Sequence, residues 1–225
     1  MEVNAEFDRS VRITPKDHNW VASPMPGVER MMLDRIGDEM ARATTIVRYA
    51  QGSAFSAHMH DGGEEFIVLE GVFEDEHGAF PAGSYIRNPP GSSHTPSAPQ
   101  GAVIFVKLWQ FDPDDRSHVR IDTNKLGTVS DAARPGVGVS PLFEDARETV
   151  RIEAWAAGTK AQVEAPGGAE LLVLSGTVSV DGEWLAPWSW LRRPVQEHVQ
   201  LEAGPEGARI WIKTGHLDHV SAPGS

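Results

Sequence analysis

Residues 52–94 read GSAFSAHMHDGGEEFIVLEGVFEDEHGAFPAGSYIRNPPGSSH, and the spacing of their polar residues decides how the chain is read. His58 and His60 lie two apart, so on an extended strand both imidazoles point to one face, with Met59 directed into the opposite layer. Asp61-Gly62-Gly63 permits a tight reversal, after which Glu64 opens an apolar run. Alternation along that run puts Glu64, Phe66 and Val68 on one face and Glu65, Ile67 and Leu69 on the other, so only one of the two carboxylates should join the histidines. Pro89-Pro90-Gly91 is a rigid turn that fixes where His94 enters. Three imidazoles and one carboxylate make a competent ligand set for Zn, Fe, Mn, Ni or Cu.

Outward from this stretch the chain continues in short runs of Val, Ile, Phe and Leu broken by Gly and Pro. The pattern predicts strands at about 28–36, 41–50, 54–60, 64–70, 72–75, 84–87 and 102–111. Turns are expected at Gly37-Asp38, Asp61-Gly62-Gly63, Glu76-His77-Gly78 and Pro89-Pro90-Gly91. So many short strands and turns argue for an all-β antiparallel jelly roll. The second half repeats the first: GEEFIVLEG at 63–71 is echoed by GAELLVLSG at 168–176, NPPGSSH at 88–94 by RRPVQEH at 192–198, and IFVK at 104–107 by IWIK at 210–213. Two tandem barrels are the economical explanation, with domains expected at 1–112 and 141–225 and a polar, Gly-containing linker at 113–140.

The first half resembles the cupin superfamily, whose motifs G-x5-H-x-H-x3-E-x6-G and G-x5-P-x-G-x2-H are met by Gly52, His58, His60, Glu64 and Gly71, and by Gly83, Pro89, Gly91 and His94. Ala98 stands where the family's usual Asn would follow the last histidine. Over about residues 20–112 the chain is similar to the cupin domain of ChrR-type anti-sigma factors. That resemblance implies a double-stranded β-helix, a bicupin overall, and zinc bound through His58, His60, Glu64 and His94; the motif spacing selects Glu64 over Glu65. Those anti-sigma factors bind their sigma factor through an amino-terminal helical zinc domain with cysteine ligands. This chain has no cysteine, so that domain is not expected here. Related cupins are dioxygenases that cleave carbon–carbon bonds with non-haem iron.

In the second half Val163 and Ala165 fall where the paired histidines should be, while Glu170 and His198 are retained, so this barrel is expected to be metal-free. Five of the seven tryptophans (Trp155, Trp184, Trp188, Trp190, Trp211) lie here. Trp188 and Trp190 are expected to share a strand face and to pack the core. His18, His77, His118, His216 and His219 lack partners at ligand spacing and read as surface residues.

The net charge of −12, with Arg192-Arg193 the only basic doublet, argues against binding nucleic acid. No apolar run approaches the roughly 18 residues needed to span a bilayer, and the opening MEVNAEFDRS is unlike a secretory leader; the expectation is a soluble, cytoplasmic protein without membrane partners, with a homodimer open. Two functions fit the ligand set. A zinc ion, the first choice of cofactor, would fill its shell with three His and one Glu and suit a regulatory or sensory module. Octahedral Fe(II), Mn(II) or Ni(II) would keep two positions for a small-molecule substrate, giving a dioxygenase of diketones or hydroxylated aryl ketones. A sugar-type isomerase needing no metal would leave the ligand set unexplained.

Overall fold

Strand Glu64–Asp75 (EEFIVLEGVFED) is the longest of the first half, and its apolar residues explain its place in the middle of a sheet, paired on both sides. The computed structural model describes residues 1–38 and 40–224. They form strands and two short 3₁₀ turns, without an α-helix among them. No helix is long and apolar enough to cross a membrane.

The chain forms two compact units: Met1–Ala5 with Asn19–Lys125 and Ser221–Ser225, and Glu6–His18 with Leu126–Val220. In the first, the sheet order is Glu2–Val3, Val28–Gly37, Ala41–Tyr49, Ala102–Leu108, Glu64–Asp75, Ser84–Asn88 and Val119–Asp122. A separate antiparallel pair, His58–His60 against Ser92–His94, completes the site region. Inside, Phe66, Val68, Phe73, Ile86, Ile104 and Val106 pack together, the face that alternation assigns to Glu64.

The second unit repeats that order as Val129–Ser130, Val137–Glu144, Thr149–Trp155, Val199–Thr214, Ala169–Val180, Trp190–Arg193 and Val11–Ile13. The duplication read from sequence is therefore a duplication of topology. It extends to single glycines: Gly71 and Gly176 have φ of 69° and 70°, and a Cβ on either would lie 2.1 Å from the carbonyl oxygen of Gly101 or Gly207. Only glycine fits such a bend against a neighbouring strand.

Several expectations change. The stretch 113–140 is no bare linker: it contains Val119–Asp122, Val129–Ser130 and the start of Val137–Glu144. Val119–Asp122 pairs with Ser84–Asn88 in the first unit, and Val11–Ile13 pairs with Trp190–Arg193 in the second. Domain bounds at 112 and 141 therefore miss a strand that follows the first copy and one that precedes it. The expected strand 54–60 is two short ones, Ser53–Ala54 and His58–His60. Strands 64–70 and 72–75 are continuous, because Gly71 bends the strand without ending it. Trp188 is not on a strand with Trp190. It lies in a turn at φ 69°, half-buried, whereas Trp190, Trp155 and Trp211 are buried and Trp184 is exposed.

Candidate metal centre

Gly62 and Gly63 make the reversal between His58–His60 and Glu64–Asp75; Gly63 has φ 75°, and a Cβ there would press on the Phe111 ring. Register across the small sheet sets His94 opposite His58. The result is a cluster in which one nitrogen from each of His58, His60 and His94 lies within 4.8 Å of the others. The ring centroids are 4.8–5.0 Å apart in all three pairs, with interplanar angles of 74–76°. Three imidazoles at such angles surround a common point rather than stack. Glu64 reaches the same place: its Oε2 is 3.4 Å from His60 Nε2 and 3.7 Å from His94 Nε2.

Three of these groups, His94, His58 and Glu64, are held from behind. Asp75 Oδ2 is 3.2 Å from His94 Nδ1, and the Ser56 carbonyl is 3.1 Å from His58 Nδ1. Bonds at Nδ1 fix the tautomer with Nε2 as the acceptor, the form that ligates metals. The Asn88 amide donates to Glu64 Oε2 at 3.1 Å. Asp75 and Asn88 were not singled out from sequence. Asn88 directly precedes Pro89 of the second motif and Asp75 ends the strand before the Glu76-His77-Gly78 turn, but only the folded register shows which side chain each one holds.

Burial sets the charges. It pulls His60 down to about 4, aided by the nearby His58, and it lowers His94 against the upward pull of Glu64 and Asp75. Burial also raises Glu64 despite His94 and the Asn88 bond. His60 and His94 are therefore neutral near pH 7. Their Nε2 atoms are buried and have no hydrogen-bond partner among the described residues. A buried polar atom left unpaired costs about 1–3 kcal/mol, and a cation among these nitrogens would remove that cost. The residues fit a divalent metal ion.

Glu65, the rival carboxylate, turns to the other face as alternation requires. It accepts from the Tyr85 hydroxyl at 2.6 Å and lies 3.6 Å from Arg87 Nη1, with Lys107 beside it on the next strand. All four are buried. Met59, between the two histidines, is not packed into a layer but 62% exposed.

The second unit shows what Glu65 is for. Its register repeats the row: Glu170 lies between Arg192 and Lys213, as Glu65 lies between Arg87 and Lys107. Glu170 bonds His216 Nε2 at 2.9 Å and Trp190 Nε1 at 3.3 Å. Glu170 is thus the counterpart of Glu65, not of the candidate ligand Glu64, whose counterpart is Ala169. Val163 pairs with Val199 as His58 pairs with His94. His198 is one residue out of place and forms an exposed pair with Glu164. The positions equivalent to the four candidate ligands are filled by Val163, Ala165, Ala169 and Val199, all within one apolar core. His216, expected on the surface, is buried by its bond to Glu170, and His18 is half-buried; His77, His118 and His219 are exposed.

Beside the histidines the first unit contains a cavity of about 370 Å³. Its walls are alternate residues of two strands: Val28, Arg30 and Met32 from one, and Ala41, Ala43, Thr45, Val47 and Tyr49 from the other. His58, His60 and Glu64 open onto it.

Residues 8–112 match the ChrR cupin-like domain family. Among solved structures the chain is similar to a proposed dioxygenase from Nostoc punctiforme, with 16% identity over 95% of this chain and 85% of that one and a TM-score of 0.76. It is similar to YlbA of E. coli (16% identity, 96% and 95% coverage, TM-score 0.71). YhhW, a pirin of Escherichia coli solved with nickel(II), gives 12% identity, 92% and 99% coverage, and a TM-score of 0.67. Identities this low show a shared fold. No curated protein matches the chain.

Proposed function

We propose that this two-barrel cupin, with its ChrR-like domain in the first barrel, binds one divalent metal ion through His58, His60, His94 and Glu64 and acts there on a small organic molecule. The observation that carries the reading is the cavity opening directly onto the ligand cluster, with His58 exposed to it. A purely structural ion is normally closed off by its ligands; this arrangement leaves an approach for a second reactant. A first-row ion such as Fe(II), Mn(II) or Ni(II) would supply Lewis acidity or oxygen chemistry when bound. The protein's own part is to orient the imidazoles of His94 and His58 through Asp75 and Ser56, to hold Glu64 through Asn88, and to receive the reactant in a cavity with both apolar and polar walls. Oxidative cleavage of a diketone or a hydroxylated aryl ketone is the reaction class we favour. The likeness to a proposed dioxygenase is support at the level of fold.

A second reading is supported by the convergence of Glu64. With four ligands a zinc ion would be saturated, and the domain would sense a small molecule rather than transform it, in keeping with the ChrR-like match. Metal analysis of the purified protein, followed by oxygen-uptake measurements on Fe(II)-loaded protein with both substrate classes, separates the two. About one equivalent of metal with substrate-dependent oxygen consumption supports the enzyme; about one equivalent of zinc with none supports the sensor. Failure to retain or take up any divalent metal overturns both.

A further inference from the structure

We propose that the cavity of the first barrel selects a small carboxylate with an apolar body, the carboxylate being received by Arg30. This deepens the small-molecule reading above, the ketone being one that also bears a carboxylate, and rests on the same cavity.

Arg30 sits on the inward face of strand Val28–Gly37, between Val28 and Met32, and all three line the cavity. Its neighbour Glu29, on the opposite face, is paired with Arg48 at 3.1 Å. Arg30 itself is half-buried, and its side chain makes no hydrogen bond or ion pair among the described residues. In a chain whose acidic residues outnumber its basic ones by 32 to 20, a half-buried guanidinium without a carboxylate partner among the described residues is a site with an unmet requirement. Tyr49 lines the same wall as Arg30 and Glu64. Burial keeps its hydroxyl neutral, so it is available as a second donor.

The rest of the wall calls for an apolar body. Four of the chain's six methionines, Met25, Met32, Met40 and Met59, line this cavity. Unbranched thioethers adapt to varied apolar shapes. Met25, Met40 and Met59 are 44%, 61% and 62% exposed, the condition of an apolar surface that a ligand would cover. The cavity's charges agree. Among the described lining residues two carboxylates, Asp61 and Glu64, face two guanidinium groups, Arg30 and Arg35, so a divalent ion leaves these groups net positive. The volume lies within the roughly 300–1,000 Å³ usual for small-molecule sites.

Calorimetric titration of the full-length, metal-analysed protein with 3-phenylpropionate and with its neutral amide, 3-phenylpropanamide, tests the proposal. The carboxylate is expected to bind at least ten-fold more tightly than the amide. Arg30→Gln should abolish that preference with metal content unchanged, and Arg30→Lys should retain part of it. Equal binding of the two probes, binding of neither, or a preference that survives Arg30→Gln (as it would if the carboxylate sat only on the metal, or if Arg30 were merely solvated at the mouth) overturns it. An Arg30-dependent preference in protein that binds no metal would uphold this proposal and sink the metal reading; metal-loaded protein without the preference would do the reverse.

Discussion

Glu64 Oε2 lies within 3.7 Å of two orphaned imidazole nitrogens, whereas Glu65 lies against Tyr85 and Arg87, so the same substitution at adjacent positions should have different consequences. Glu64→Gln is expected to lower divalent-metal affinity by at least ten-fold while leaving the metal-free fold as stable as before or more so, since burial already disfavours that charge. Glu65→Gln should leave metal affinity within a few-fold but destabilise the protein by about 1–3 kcal/mol, because the Tyr85 hydroxyl and Arg87 lose a buried charged acceptor while Arg87 keeps Asp115 at 2.9 Å; metal titration and urea unfolding of both variants give the comparison. Asp75→Asn, which disturbs the His94 tautomer, should weaken metal binding about 10–100-fold. His60 adds a pH dependence. Its folded value of about 4 lies below the ordinary 6.5, so the unfolded chain binds its proton first as pH falls. The metal-free protein should therefore lose stability between pH 6.5 and 4, by about 3 kcal/mol from this group. Saturating metal should oppose that loss over the upper part of the window, and denaturant midpoints across the range with and without metal would show it.

At the scale of the strand, pairing register governs what a residue does. Most strands, every expected turn and the Glu64 face were legible in the sequence, because alternation and Gly/Pro punctuation are local signals. The role of Glu170 was not. It looked like a retained ligand, but the partners that define it, Arg192, Lys213 and His216, lie 22 to 46 positions further on, and only the ladder brings them together. Asp75 and Val119–Asp122 escaped for the same reason, since each is explained by a partner on a distant strand. The glycine bends supply a test at this scale. Gly71→Ala and Gly176→Ala should each cost about 2 kcal/mol or more, by the same clash in two places. Calorimetry should show lowered melting for both, and a silent Gly176→Ala would contradict the structural equivalence of the two bends.

For the whole molecule, the two copies differ in what fills equivalent positions. The first keeps unpaired polar nitrogens in its interior, and the second fills the same positions with Val163, Ala165, Ala169 and Val199. Removing metal should therefore be felt locally. Hydrogen exchange after chelation is expected to quicken in peptides covering 58–60 and 92–94 and to remain unchanged in those covering 163–173 and 199–212; equal loosening of both sets would refute the expectation. The pairing of Val11–Ile13 with Trp190–Arg193 has a further consequence, in time rather than in space. During synthesis the first unit has all of its sheet strands once residue 122 has emerged, but the segment around residue 12 must wait for nearly 180 more residues before its partner exists. For most of its own translation, the chain carries near its beginning a strand that belongs to its end.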